Sequence, residues 1–107
     1  MRAGGRLLNP FLPAYKAAFY WYSLAGQFDE LSPLEHTERM IRSMSGPRQL
    51  VVYADCRHSV GNVPAANLGP FPPILVADWL VARLSGKPFN SERWYVEATG
   101  RIVKTSL

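Results

Sequence analysis

Asp29 and His58 are the two residues of this 107-residue sequence whose positions allow acid–base chemistry. Each follows a short apolar run that reads as a strand: Asp29 comes after Ala17–Ala25, and His58 after Gln49–Ala54. In an open parallel sheet, ligands gather at the carboxyl ends of the strands. If the two strands are neighbours, those ends lie ~5 Å apart, which brings a carboxylate and an imidazole within hydrogen-bond reach. A carboxylate that accepts from one ring N–H fixes the tautomer and stabilises the imidazolium, so the other nitrogen can act as a base.

Other reactive residues have plainer readings. An Asp between a strand and a helix is commonly a turn or cap residue, and a single His is commonly a loop residue. It is their common register that argues for more. Cys56 lies two positions before His58, and an extended backbone points both the same way. A thiol paired with an imidazole is the arrangement of cysteine hydrolases, but the sequence around Cys56 reads better as a small, half-buried position. Asp55, Cys56 and His58 lack the ligand spacing of any zinc class, and neither a metal nor a cofactor is expected. Glu30 and His36 read as solvated, Trp79 as a core anchor, and Arg83, Lys87 and Arg93 as surface charges.

The elements that must position the pair follow from patterning. Ala17–Ala25 (AAFYWYSLA) lacks polar alternation, as in a strand covered on both faces. Ser32-Pro33-Leu34-Glu35 predicts a helix start with Ser32 as N-cap, Pro33 first and Glu35 closing a capping box. Leu34, Thr37, Met40 or Ile41, and Met44 keep helical spacing, and Glu38 and Arg42 form an i,i+4 pair. Ser45-Gly46-Pro47 ends the helix. The short strand Gln49–Ala54 leads into a loop rich in Gly and Pro, then a helix over Ile74–Leu84. Trp94–Lys104 reads as a hairpin turning near Thr99-Gly100. Strand, helix, strand with short loops implies a parallel pair and a right-handed crossover, so the expected class is α/β. Residues 1–16 read as loop or a poorly ordered start, and 17–107 as one unit.

Composition narrows the partners. Hydrophobic residues make up 48% of the chain, enough for a core. The net charge of +4 sits at the ends. Residues 18–82 hold four arginines against six acids, so the segment with the pair is mildly acidic. This disfavours nucleic acid as a partner, because such binders concentrate basic residues on one face. The apolar stretch after Arg6 is only Leu7-Leu8 before Asn9-Pro10, too short for a secretory leader, and no run is long enough to span a membrane. A cytoplasmic, reducing location is expected, and the lone Cys56 fits it.

Gly26-Gln27-Phe28-Asp29-Glu30-Leu31-Ser32-Pro33 resembles the acid loop of α/β-hydrolases, in which Gly-x-x-Asp ends the penultimate strand and a Pro opens the next helix. Asp55-Cys56-Arg57-His58-Ser59 resembles the turn that carries the catalytic His after the last strand. The helix Ile74–Leu84 with Gly86-Lys87-Pro88-Phe89 looks like the closing helix and tail of the subgroup related to acylaminoacyl-peptidase and dipeptidyl-peptidase-like esterases. The resemblance covers about residues 22–107. It implies Asp29 as the acid and His58 as the general base of a Ser-His-Asp triad, in the family's chain order.

Two departures accompany it. None of the eight serines sits in a G-x-S-x-G nucleophile elbow, and the backbone oxyanion-hole loop that precedes the elbow is missing too. The first strand carries Phe19-Tyr20-Trp21-Tyr22 where the family has aliphatic residues. The resemblance therefore implies the C-terminal portion of a serine hydrolase: the last two parallel strands, their helices and a hairpin tail. Its substrate would be a small-molecule or peptide ester or amide, and the chain would be inactive without a serine supplied from elsewhere. The competing expectation is a small non-catalytic interaction protein built on such a remnant. An aromatic strand over residues 17–25 without a gatekeeper charge predicts self-association through its edge.

Overall fold

The computed structural model describes residues 20–58 and 67–107. The expected N-terminal loop, the start of the Ala17 run, and the middle of the long loop with Ser59 lie outside the described residues. Six elements follow one another: β1 (Trp21–Gly26), α1 (Leu34–Ser43), β2 (Arg48–Tyr53), α2 (Pro72–Leu84), β3 (Glu92–Val96) and β4 (Ile102–Ser106). The sheet order is β1-β2-β3-β4. β1, β2 and β3 run parallel, and β4 returns antiparallel. The class is α/β, with a small mixed sheet and two helices.

β2 occupies the middle because it is apolar on both sides. Leu50, Val51, Val52 and Tyr53 are all fully buried. Their alternation makes two cores. Val51 and Tyr53 pack with Cys56, Val96, Tyr22 and Leu75 on the α2 side. Leu50 and Val52 pack with Ala25 and Ile41 on the α1 side. The register sets Gly26 against Tyr53 and Tyr53 against Val96, so the carboxyl ends of the three parallel strands are flush. The Arg48 side chain closes the end of α1, its Nε donating to Ile41 O at 2.7 Å and its Nη1 to Gly46 O at 3.2 Å.

Several expectations need correction. The hairpin near the C-terminus forms, but it is no tail, because its first strand is the third parallel strand of the sheet. Ser32 does not cap α1. The N-cap is Pro33, extended at φ −51° and ψ 137°, with no side-chain cap bond. Asp29 holds the backbone N–H groups just before it, and this delays the first helical residue to Leu34. α2 starts two residues early, at Pro72, where prolines suit the first turn. Glu38 pairs with Arg93 of β3 at 2.5 Å, across the sheet face. Arg93 is therefore a half-buried ion-pair partner, and its guanidinium also lies over the Tyr95 ring.

The inner face of α2 sends Leu75 into the core and stacks Trp79 on Tyr22 at 4.9 Å. Its outer face leaves Ile74, Val81 and Leu84 exposed by 55%, 60% and 86%. No helix among the described residues is long and apolar enough to cross a membrane.

Candidate functional site

Asp29 and His58 meet above the carboxyl ends of β1 and β2. His58 Nδ1 lies 2.9 Å from Asp29 Oδ2. The Asp29 side chain is only 7% exposed, whereas the His58 ring is 53% exposed. A shielded carboxylate thus holds one edge of an imidazole whose body faces solvent.

Backbone geometry places both residues. β1 ends at Gly26, where a Cβ would fall 2.1 Å from Arg57 O and 2.5 Å from Cys56 O. No side chain fits there, so the acid loop and the His turn touch backbone to backbone only because residue 26 is glycine. Three hydrogen bonds then join the loops. Gln27 N–H donates to Tyr53 O at 2.9 Å, and Phe28 N–H donates to Cys56 O at 2.9 Å. Asp55 N–H donates to Gln27 Oε1 at 3.2 Å. Asp55 itself takes a left-handed conformation, φ 61°, which turns the chain out of β2 toward His58. Asp tolerates that region better than most residues with a Cβ. The Arg57–Glu30 pair also spans the loops, but both side chains are 76% exposed and it adds little.

The Asp29 carboxylate divides its two oxygens. Oδ1 accepts from Leu31 N–H at 2.9 Å and from Ser32 N–H at 2.8 Å. Oδ2 is left for the imidazole. The Ser32 N–H bond is the largest cause that holds the Asp29 pKa below the usual carboxylate value. His58 and the Leu31 N–H add to it, and burial opposes it. The carboxylate is therefore anionic near neutral pH, and an anion accepts from Nδ1–H. The neutral ring then carries its proton on Nδ1 and presents Nε2 as a free lone pair, an assignment made from this hydrogen bond. Among the described residues no hydrogen bond reaches Nε2.

The other candidates fall away from this pair. Cys56 is buried, and burial, with Asp55 second, raises its thiol pKa. A protonated, enclosed thiol is a poor nucleophile, and Cys56 instead serves through its carbonyl. Among the described residues no three His, Cys, Asp or Glu side chains gather where they could hold a metal ion.

One positioning residue escaped the sequence reading. Asn67, 4% exposed, donates from Nδ2 to Ala54 O at 2.9 Å and to Val96 O at 3.1 Å. Its Oδ1 accepts from Gly69 N–H at 2.8 Å. It clips the ends of β2 and β3 together just below the His turn. The only sequence signal was an Asn two residues before a Gly in a loop, which is common to many turns. Tyr53 adds a second clip, donating its hydroxyl to Pro70 O at 2.5 Å. Burial first, then Cys56, pushes the Tyr53 pKa up to about 12, so it stays a donor.

No protein-family model, curated protein or solved structure matches the chain.

Proposed function

We propose that this chain supplies the acid and the base of a Ser-His-Asp triad in a serine hydrolase of esterase or peptidase type. In this reading the chain is the C-terminal part of an α/β-hydrolase fold. The observation that carries it is the 2.9 Å Asp29–His58 contact, in which one carboxylate oxygen is anchored by backbone N–H groups and the other faces the imidazole. The order of the elements supports it too, since acid and base follow successive parallel strands.

The chemistry is acyl transfer. A serine from outside these 107 residues attacks an ester or amide carbonyl. His58 Nε2 takes the hydroxyl proton and returns it to the leaving alcohol or amine. Water repeats the sequence on the acyl-enzyme, with His58 again as base. Asp29 orients the ring and stabilises the imidazolium formed in each half. Alone, the chain has no serine elbow and is expected to be silent toward a fluorophosphonate probe and nitrophenyl esters. The test is to read the coding sequence ahead of Met1 for a G-x-S-x-G roughly 80–100 residues before Asp29, the span expected of the family order, and to express the extended chain. Probe labelling of that serine, lost in His58→Ala, is expected. An extended chain that hydrolyses esters equally well after His58→Ala contradicts the proposal.

A second reading, a non-catalytic interaction protein, is favoured by the exposed apolar face of α2. β1, which stands at the end of the sheet and pairs only with β2 among the described residues, adds an open edge for self-association. Gel filtration with light scattering distinguishes it. Concentration-dependent oligomers support it, and a sharp monomer with a cooperative melt counts against it.

A further inference from the structure

α2 carries two charged residues, Asp78 and Arg83, and both line the cleft between the helix and the strands, with Tyr22 and Trp94. Arg83 Cζ lies over the Phe89 ring, 4.6 Å from its centroid. The side of the helix turned to solvent is left without charge. Pro73, Ile74, Ala77, Leu80, Val81 and Leu84 are all exposed there, Leu80 by 48% and Leu84 by 86%. A surface helix ordinarily sets polar residues on that side, and a helix that is apolar all round is buried against a partner.

The spacing of these residues says what fits the face. Pro73, Ala77, Leu80 and Leu84 form one row along the helix, with Ile74 and Val81 beside it. The steps along the row are four, three and four residues, so it reads the same in both directions. Two copies of α2 set antiparallel, with a two-fold axis between Ala77 and Leu80, therefore match Pro73 with Leu84 and Ala77 with Leu80. That self-complementarity is what an isologous contact requires. Ala77 is the small residue at the centre, where the two helices come closest. An uncharged face does not repel its twin, and antiparallel helices set opposite ends of their dipoles side by side. The +4 charge of each chain stays outside the contact, where salt screens it. The six side chains present roughly 500 Å² per copy, so a pair buries on the order of 1,000 Å², the lower limit of a specific interface. Such an area supports a reversible dimer and not a permanent one.

We propose that a second copy of this chain docks on the outer face of α2, giving a two-fold dimer through antiparallel α2 helices. The proposal rests on the self-association of the second reading above and deepens it by seating the contact on α2 instead of the β1 edge. The test is sedimentation equilibrium of the intact 107-residue chain over a range of concentrations. A monomer–dimer equilibrium with a Kd of about 10–100 μM is expected. The molar mass should reach twice the 12.0 kDa of the chain and stop there. Ala77→Glu and Leu84→Lys each place a charge on the face at an exposed position. Each is expected to weaken the dimer about tenfold or more, with far-UV circular dichroism native. The two variants change the net charge in opposite directions, so weakening by both isolates the face from the overall charge. A monomer at every concentration overturns both the contact and the self-association reading. A dimer left unchanged by either natively folded variant overturns the α2 contact alone and leaves the β1 edge as the seat of association. A mass that climbs past two copies overturns the closed two-fold pairing.

Discussion

Replacing Gly26 by Ala is expected to separate the acid from the base. The new Cβ would sit 2.1 Å from Arg57 O and 2.5 Å from Cys56 O, and ordinary contact begins near 3.4 Å. The acid loop and the His turn must therefore part by about 1 Å. Such a shift carries the Phe28 N–H···O Cys56 bond, now 2.9 Å, and the Asp29–His58 contact, also 2.9 Å, beyond hydrogen-bond range. Overpacking of a rigid site costs about 1–3 kcal/mol, and each of the two lost bonds adds about 1 kcal/mol, so roughly 3–5 kcal/mol of stability should go. Gly86→Ala is the control. Nothing lies within 4 Å of its Cβ position, and its φ of 72° charges only backbone strain of about 1 kcal/mol. Urea unfolding measures both variants. Carbon-detected NMR of the Asp29 carboxyl adds a local readout: its pKa should rise in Gly26→Ala because the His58 contribution is lost, while the Leu31 and Ser32 N–H bonds remain. A Gly26→Ala chain no less stable than Gly86→Ala, with the Asp29 titration unmoved, refutes the reasoning.

Three further outcomes follow from the same geometry. Asn67→Ala strands the Ala54 carbonyl and the Gly69 N–H and leaves Val96 O with the Ala54 N–H alone, and should cost about 2–4 kcal/mol in urea unfolding; a loss under about 1 kcal/mol would show that water replaces the clip. Asp29 has a folded pKa below its unfolded value of about 3.9, so its contribution to stability is present above about pH 4 and fades as pH falls through the folded value. Urea midpoints of the native chain and Asp29→Asn should therefore differ near neutrality and converge in acid, and parallel curves would count against it. Asp55→Gly, at φ 61°, should stay within about 1 kcal/mol of the native chain, whereas Asp55→Val should lose about 2 kcal/mol more; equal melting of the two would remove the left-handed turn from the account of the site.

The juxtaposition of Asp29 and His58 was legible because it needs only local information. Two apolar runs joined by one short helix leave little freedom other than parallel pairing, and each residue lies just beyond the end of its run. The position of β3 was not legible. Glu92–Val96 (ERWYV) is a short run of charged, aromatic and β-branched residues without alternation, and that composition fits a free-standing hairpin as well as a third parallel strand. The decision rests on Val96 filling the core beside Tyr53, a contact between distant residues. Glu38 is the same lesson on a helix. Its i,i+4 neighbour Arg42 was the visible partner, but β3 brings Arg93 to the same carboxylate with better burial. Ser32 shows a local rule losing to a tertiary one, since the capping pattern is present yet the Asp29 carboxylate fixes the backbone first. Arg83 reads as a surface charge from sequence. In the fold its guanidinium lies 5.4 Å from the Tyr20 centroid and 4.6 Å from that of Phe89, which needs α2 and the segment after it to come together.

The pairing of Asp29 with His58 is tested most directly by a long-range proton–nitrogen NMR spectrum of the imidazole near neutral pH, in the native chain and in Asp29→Asn. A carboxylate 2.9 Å from Nδ1 predicts that the neutral form of the ring carries its proton on Nδ1 with Nε2 bare, and loss of that preference in the Asn variant. A neutral ring protonated on Nε2 alone, or a tautomer indifferent to Asp29→Asn, contradicts it.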